Sequence, residues 1–132
     1  MYNMAAELIF VEGGELDHGP GSSISGGTFT VESDPSNKSK LEGNGIYRNT
    51  LEYSFQGGSA SGVVAGSVRT TVDQEIDPTA DFTRADGEKV IRQRDSGTMS
   101  AVGDNPSPPP ATLPVSGPVT VADPGQSKGK AQ

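Results

Sequence analysis

Glycine recurs through the middle of this sequence at the edges of short apolar stretches, and this spacing restricts the fold more than any other feature. The chain has 18 Gly and 10 Pro among 132 residues. A reversal about every ten residues is typical of all-β folds. We therefore predict an all-β, compact stack of short hairpins with long Gly/Pro-rich loops. The glycines concerned are Gly43, Gly45, Gly57, Gly58, Gly62, Gly66, Gly87, Gly97 and Gly103.

Alternation of apolar and polar residues indicates where the strands lie. Leu51, Tyr53 and Phe55 alternate with polar neighbours, which is the pattern of a half-buried strand. Weaker alternation predicts strands around Phe29 and around Val119. β-branched residues over 63–72 predict one or two further strands, with a bulge or tight corner at Gly66.

Two dipeptides predict tight hairpin turns. A type I′ turn requires positive φ at both central residues, and Asn-Gly and Asp-Gly satisfy this requirement well. Ile46-Tyr47 directly follows Asn44-Gly45, and Val90-Ile91 follows Asp86-Gly87 after two charged residues. We predict one hairpin centred on each pair.

The chain is divided by its composition into three parts. The composition of residues 1–25 predicts a flexible N-terminal arm. Within it, the segment from Met4 to Phe10 fits either a helical turn or a short strand. Residues 26–126 form the predicted β domain, with a Pro-rich extended connector over 104–116. Residues 127–132 predict a flexible tail.

Charge and composition exclude several classes of function. The net charge of −7 and the absence of a basic cluster argue against a nucleic-acid partner. With no cysteine, disulfides and thiolate chemistry are excluded. The longest apolar run, Leu8-Ile9-Phe10-Val11, is too short to cross a membrane, and no signal peptide is evident. We expect synthesis in the host cytoplasm.

Residues suited to catalysis or metal binding give no enzyme prediction. His18, beside Gly19 and Pro20, is interpreted as an exposed loop residue rather than a general base or metal ligand. The run Asp73-x-Glu75-x-Asp77 lacks the glycine and terminal Glu of a calcium loop, so it is interpreted as a solvated strand end. Carboxylate pairs suited to a hydrolase are inevitable among 17 acidic residues. We predict no enzyme activity, cofactor or metal.

Four phrases together resemble PAAR-like proteins, and they spread over residues 26–126. The sequence lacks the Pro-Ala-Ala-Arg phrase itself. The phrases are Lys40-Leu41-Glu42-Gly43-Asn44-Gly45-Ile46-Tyr47-Arg48, Arg84-Ala85-Asp86-Gly87-Glu88-Lys89-Val90-Ile91, Asp95-Ser96-Gly97-Thr98-Met99 and Gly117-Pro118-Val119-Thr120-Val121-Ala122-Asp123-Pro124-Gly125-Gln126.

The resemblance implies a small conical β protein that caps a trimeric β-helical spike in phage tails, type VI secretion systems and related injection machines. Family members commonly hold a metal near the apex with His and often Cys ligands. Here His18 is the single His and lies outside the matching region, so we expect no bound metal.

The resulting hypothesis is a structural tip protein that helps to penetrate a target envelope, which it contacts transiently. Its partner would be the trimeric spike, and its place the virion tail tip or the injection apparatus. The alternative is another virion structural module, such as a capsid decoration protein or a tail-fibre or adhesin domain. The apolar strand faces would fill the core and the docking base; they include Leu51, Tyr53, Phe55, Val63, Val90 and Val119.

Overall fold

The computed structural model describes residues 7–106 and 111–131, and the described residues contain strands and no helix. Consequently no described helix is available that could span a membrane. The all-β prediction is confirmed. The strands are β1 (Glu7–Leu8), β2 (Glu15–His18), β3 (Ser25–Val31), β4 (Lys40–Leu41), β5 (Asn44–Gly45), β6 (Leu51–Ser59), β7 (Gln74–Ile76), β8 (Arg84–Ala85), β9 (Glu88–Lys89), β10 (Ser96–Asp104), β11 (Thr112–Asp123) and β12 (Lys130–Ala131).

These strands form two larger sheets and three two-stranded pairs. We call all three pairs hairpins, although a turn joins the strands in only two of them. The sheets have the orders β10-β11-β2 and β3-β6-β7, and all neighbours are antiparallel. The two-stranded pairs are β4-β5, β8-β9 and β1-β12. In the last pair, strands from opposite ends of the described chain meet.

A single large core cluster joins the two sheets. The alternation predicted for β6 is confirmed, since Leu51, Tyr53 and Phe55 are buried and Glu52 is exposed. From the other sheet, Met99 and Val119 are fully buried in the same cluster. The inward faces of both sheets therefore supply one continuous apolar interior.

The N-terminal arm is the largest error in the sequence-based domain division. Phe10 and Val11 are fully buried, β2 pairs with β11, and Ile24 is buried as well. An apolar run in a chain with a thin core contributes burial that the fold needs, which outweighs the loop character of the surrounding glycines. Residues 7–25 are thus part of the domain, while residues 1–6 lie outside the described residues.

The C-terminal tail and the Pro-rich connector are also shorter than predicted. Ala131 is buried and β12 pairs with β1, so residues 127–131 are not a frayed tail. Within the predicted connector, Asp104 ends β10 and residues 112–116 belong to β11. Pro114 and Pro118 fit β11 because the alternation of ladder bonds puts their missing N–H groups on the side facing away from β10. Residues 107–110 lie outside the described residues.

One of the two predicted turns is wrong by two residues. The β8-β9 hairpin turns at Asp86 and Gly87, with φ of 54° and 82°, as predicted. The β4-β5 hairpin turns at Glu42 and Gly43, with φ of 52° and 84°. Gly45 lies in β5 instead, where a Cβ would lie 2.9 Å from the Pro35 Cβ and closer still to a backbone oxygen. Glycine is needed there for close approach rather than for turning.

The region predicted as strands from the β-branched residues is mostly turn. Within residues 63–72 only Val68 and Arg69 pair, each as an isolated bridge, to Gly58 and Val102. Gly66 adopts φ of 78° at a corner. The strand comes later, at β7, inside the acidic run interpreted as a solvated strand end.

Replacing Phe55 by Ala is expected to lower the free energy of unfolding by about 3–5 kcal/mol, because a fully packed ring is removed from the main core. Gln56→Ala, on the exposed face of the same strand, is the matched control and is expected to change it by less than about 0.5 kcal/mol. Urea unfolding of both variants measures the difference. Equal effects of the two substitutions would contradict the assigned strand faces.

Candidate docking platform

The three small hairpins have the same internal register. Lys40 pairs with Gly45, Arg84 with Lys89, and Lys130 with Leu8. One residue further on, Leu41, Ala85 and Ala131 pair with Asn44, Glu88 and Glu7, respectively. The hairpins therefore match position by position, although in the third the two strands come from distant parts of the chain.

The segment after each hairpin joins a closed cycle of backbone hydrogen bonds. Phe10 donates its N–H to the Ile91 carbonyl at 2.8 Å, Ile91 donates to the Tyr47 carbonyl at 3.0 Å, and Tyr47 donates to the Phe10 carbonyl at 3.1 Å. Each of the three residues thus gives one bond and accepts one. This is the pattern of a pseudo-threefold axis passing between them.

Flanking residues obey the same cyclic rule. The isolated bridges join Ile9 to Arg92, Ile46 to Val11, and Val90 to Arg48. In each bridge, the residue that precedes one of Phe10, Tyr47 and Ile91 pairs with the residue that follows another of these three. We call the three hairpins and residues 9–11, 46–48 and 90–92 the platform.

The platform has an apolar interior of its own. Alternation along each segment turns Phe10, Tyr47 and Ile91 toward the main core, where Phe10 and Tyr47 stack with centroids 5.0 Å apart. The residues before them pack in a second cluster with the inner hairpin residues: Ile9, Ile46, Val90, Leu41, Ala85 and Ala131. A two-stranded hairpin is marginally stable alone, so this shared burial is what holds the hairpins.

Loops before the hairpins support the platform through their side chains. The carboxamide of Gln126 accepts from the Lys128 and Gly129 N–H groups and donates to the Ile9 carbonyl at 2.8 Å. Ser36 holds the equivalent place beside β4, where its Oγ accepts from the Ser39 N–H at 2.9 Å. Both residues are buried, so these bonds fix the entry of the β12 and β4 strands into their hairpins.

Two arginines connect neighbouring parts of the platform. The Arg48 Nε lies 3.2 Å from an Asp86 carboxylate oxygen, which ties one hairpin's following segment to the turn of the next hairpin. Arg92 is buried and donates to the Thr79 hydroxyl at 2.7 Å and to the Ala131 carbonyl at 3.4 Å. Asp95 completes this group by accepting from the Arg92 backbone N–H at 2.8 Å.

The residues named from the sequence as core or docking positions are interior. Leu51, Tyr53, Phe55 and Val119 lie in the main core, and Val90 lies in the platform's cluster. Val63 is partly buried against the main core and lies close to Gly103. The buried side chains among them serve packing.

His18 is placed differently from its sequence interpretation as an exposed loop residue. It ends β2, and its Nε2 lies 2.8 Å from the Gly26 carbonyl oxygen. Its ring packs edge-on against Phe29 and Phe55, with centroids 5.1 and 5.2 Å away. It therefore bridges the two sheets. Within the described parts of the chain, no group of three His, Asp or Glu side chains is arranged to hold a metal.

Exposed cations occupy one equivalent position in each hairpin, and the sequence analysis missed them. Lys40, Arg84 and Lys130 are all exposed and begin the first strand of their hairpins. The sequence signal for the equivalent positions is the similarity of residues 40–48 to residues 84–92. The third hairpin leaves no such signal, because its residues Lys130 and Glu7 are far apart in sequence. Each hairpin thus carries one exposed cation at the same position, although the hairpins also contain the carboxylates of Glu7, Glu42, Asp86 and Glu88.

Comparison with known proteins adds no relative: a scan against family models, a search of curated proteins and a search of solved structures each found no match.

Burial affects the protonation of the two buried tyrosines. Burial raises the pKa of Tyr53 from 10.0 to about 12, and no described group hydrogen-bonds its hydroxyl. The pKa of Tyr47 is raised by burial and also by the nearby carboxylates of Glu12 and Asp34.

Tyr53→Phe is expected to change how stability depends on pH. A raised folded-state pKa means that the folded protein keeps its proton between pH 10 and about 12 while the unfolded chain loses it, so stability is complete below pH 10 and falls across this interval. The variant should lose less stability between pH 7 and pH 11 than the wild type. Chemical unfolding at both pH values measures this, and equal losses would contradict the burial of the hydroxyl.

Proposed function

We propose that the protein is a structural tip that sits on the end of a threefold-symmetric spike in a phage tail or contractile injection machine. The observation that carries the proposal is the platform, in which one chain builds three matching hairpins around a pseudo-threefold axis. The PAAR-like phrases support it, since two of them, residues 40–48 and 84–91, are platform hairpins with the segments that follow them.

Symmetry explains why such a platform suits a trimeric partner. The end of a homotrimer presents three copies of the same surface around one axis. A single chain centred on that axis can meet all three copies equally only if it repeats its own contact surface three times. The equal register of the hairpins provides this repetition within one copy.

Charge indicates what the partner's end should carry. Lys40, Arg84 and Lys130 would each face one chain of the trimer, because they hold the same position in the three hairpins. Complementary charge steers association and fixes the register of an interface. We therefore expect an acidic group on each chain of the spike's end.

One of the loops that enter the platform hairpins also offers an apolar contact. Phe82 is 73% exposed and lies in the loop that leads into β8. Exposed aromatic side chains are frequent anchors of protein interfaces, because they bury a large area on binding. This residue breaks the pseudo-symmetry and would fix one of the three possible orientations on the spike.

The decisive experiment counts copies in the native particle and disturbs the cations. Tagged protein expressed in its native background should co-purify with a trimeric spike protein at one copy per trimer, as measured by quantitative mass spectrometry. Replacing Lys40, Arg84 and Lys130 by Gln removes three positive charges and should lower this recovery by about tenfold or more. Thermal unfolding checks that the variant remains folded.

The matched control changes the net charge by the same amount at exposed neutral residues outside the platform and its loops, by replacing Gln56, Ser61 and Thr71 with Glu. Recovery of the control should stay close to that of the wild type. Recovery with a capsid protein in many copies, or equal recovery of both triple variants, would contradict docking through the platform.

A further inference from the structure

The two larger sheets meet along two seams, and only one of them is closed. At the β7/β10 seam, a Cβ on Gly97 would lie 2.8 Å from the Glu75 carbonyl oxygen, and the Gln74 side chain accepts from the Ser100 N–H at 2.9 Å. At the β2/β3 seam, the described contacts are made by His18, through its bond to Gly26 and the packing of its ring against Phe29. Beyond His18 a cavity of about 570 Å³ separates the strands.

This opening, which we call the wedge, is lined by two edge strands. β2 is the outer strand of one sheet and β3 the outer strand of the other. Residues 14–17 form one wall and residues 27–31 the other, with Tyr47 and Ala122 also lining the cavity. The bond from His18 to Gly26 closes one end of the wedge.

The β3 wall presents unpaired backbone groups. Glu32 donates its N–H to the Glu52 carbonyl at 2.8 Å, which makes this pair a hydrogen-bonded one. Ladder bonds alternate along an antiparallel pair, so the N–H and C=O groups of Val31 and Phe29 point away from β6 and toward the wedge. They form a ready template for one additional strand.

The edge of β3 also lacks the features that usually prevent pairing. Its sequence, Ser-Gly-Gly-Thr-Phe-Thr-Val, contains no charged residue and no proline, and it is seven residues long. Proteins ordinarily protect such an edge with lysine, proline or a covering segment. An uncovered edge beside a cavity therefore indicates a partner.

The chemistry of the wedge selects the kind of strand. Glu15 and Asp17 are exposed carboxylates on the β2 wall, while the half-buried Phe29 and Val31 supply apolar surface on the β3 wall. No Lys or Arg is found among the residues that line it. Glu12 and Asp34 lie close enough to Tyr47 to influence its hydroxyl, so the surroundings are acidic as well.

We infer that the wedge binds an extended segment of a partner protein in which Lys or Arg alternates with apolar residues, and that this segment adds a strand to the free edge of β3. Its backbone pairs with Phe29 and Val31. Its basic side chains meet Glu15 and Asp17, and its apolar side chains cover Phe29 and Val31. Such strand addition takes affinity from main-chain bonds and specificity from alternate side chains. The inference does not depend on the platform or its partner.

A blocked synthetic heptapeptide of alternating lysine and valine is the probe. Titrated into the ¹⁵N-labelled protein, it should shift the amide signals of Leu16, Phe29 and Val31 most strongly. A peptide with glutamate in place of lysine should bind at least about tenfold more weakly, because its charges face carboxylates. A lysine peptide N-methylated at alternate backbone positions should also lose at least about tenfold, because it cannot complete the ladder.

Variants of the protein test the acidic wall separately. Replacing Glu15 by Gln and Asp17 by Asn together should weaken binding about three- to tenfold and reduce its dependence on salt. The Asn side chain retains an oxygen for the bond that Asp17 accepts from the His18 N–H. Glu75→Gln with Asp81→Asn removes the same charges from exposed positions outside the wedge and should leave binding unchanged.

Several results would overturn the inference. These are shifts centred on residues outside the wedge, equal binding of the N-methylated peptide, equal weakening by the two pairs of substitutions, or no binding at millimolar peptide. Any of them would leave the platform proposal untouched, because the probe and the substitutions avoid the hairpins.

Discussion

The cycle of hydrogen bonds among Phe10, Tyr47 and Ile91 is the interaction on which the rest of the structure depends. Each residue follows a hairpin that buries too little surface to stand alone. Closing the cycle brings the three hairpins over one shared apolar cluster and orients the three central side chains into the main core. Because the participants are far apart in sequence, the cycle forms only when distant parts of the chain come together, and such non-local pairing is expected to make folding slow.

Pseudo-symmetry also organises the parts of the chain that connect to the platform. β11, β3 and β7 lead into the three hairpins, and β2, β6 and β10 lead away from them. These six strands make up the two larger sheets. The platform is thus the end at which the strands of both larger sheets converge. The pseudo-threefold symmetry of these strands is broken at the two seams between the sheets. The wedge is the opening at the β2/β3 seam.

Some of this structure could be predicted from local sequence. The alternation in β6 and the Asp86-Gly87 turn follow from side-chain period and from backbone sterics, which act over a few residues. Gly45 was misassigned because glycine serves two needs, positive φ and close approach, and only the folded contact with Pro35 and Ser36 distinguishes them. Prolines in β11 were misleading for a similar reason, since only the ladder shows which N–H groups are dispensable.

The platform itself was beyond local reasoning, because its third hairpin joins Lys130–Ala131 to Glu7–Leu8. No window along the sequence contains both strands. His18 illustrates the same point: a neighbour of glycine and proline looks like a loop residue until the opposite sheet brings Phe29 and Phe55 against its ring. Long-range pairing, rather than propensity, decided these features.

Amide hydrogen exchange at Phe10, Tyr47 and Ile91 tests the closed cycle most directly. We expect the three amides to be protected to a similar degree, with opening free energies close to that of global unfolding, because each donates to a partner in the same hydrogen-bonded cycle. Rapid exchange of the Phe10 amide beside slow exchange of the other two would contradict it, since the third hairpin would then be absent from the platform.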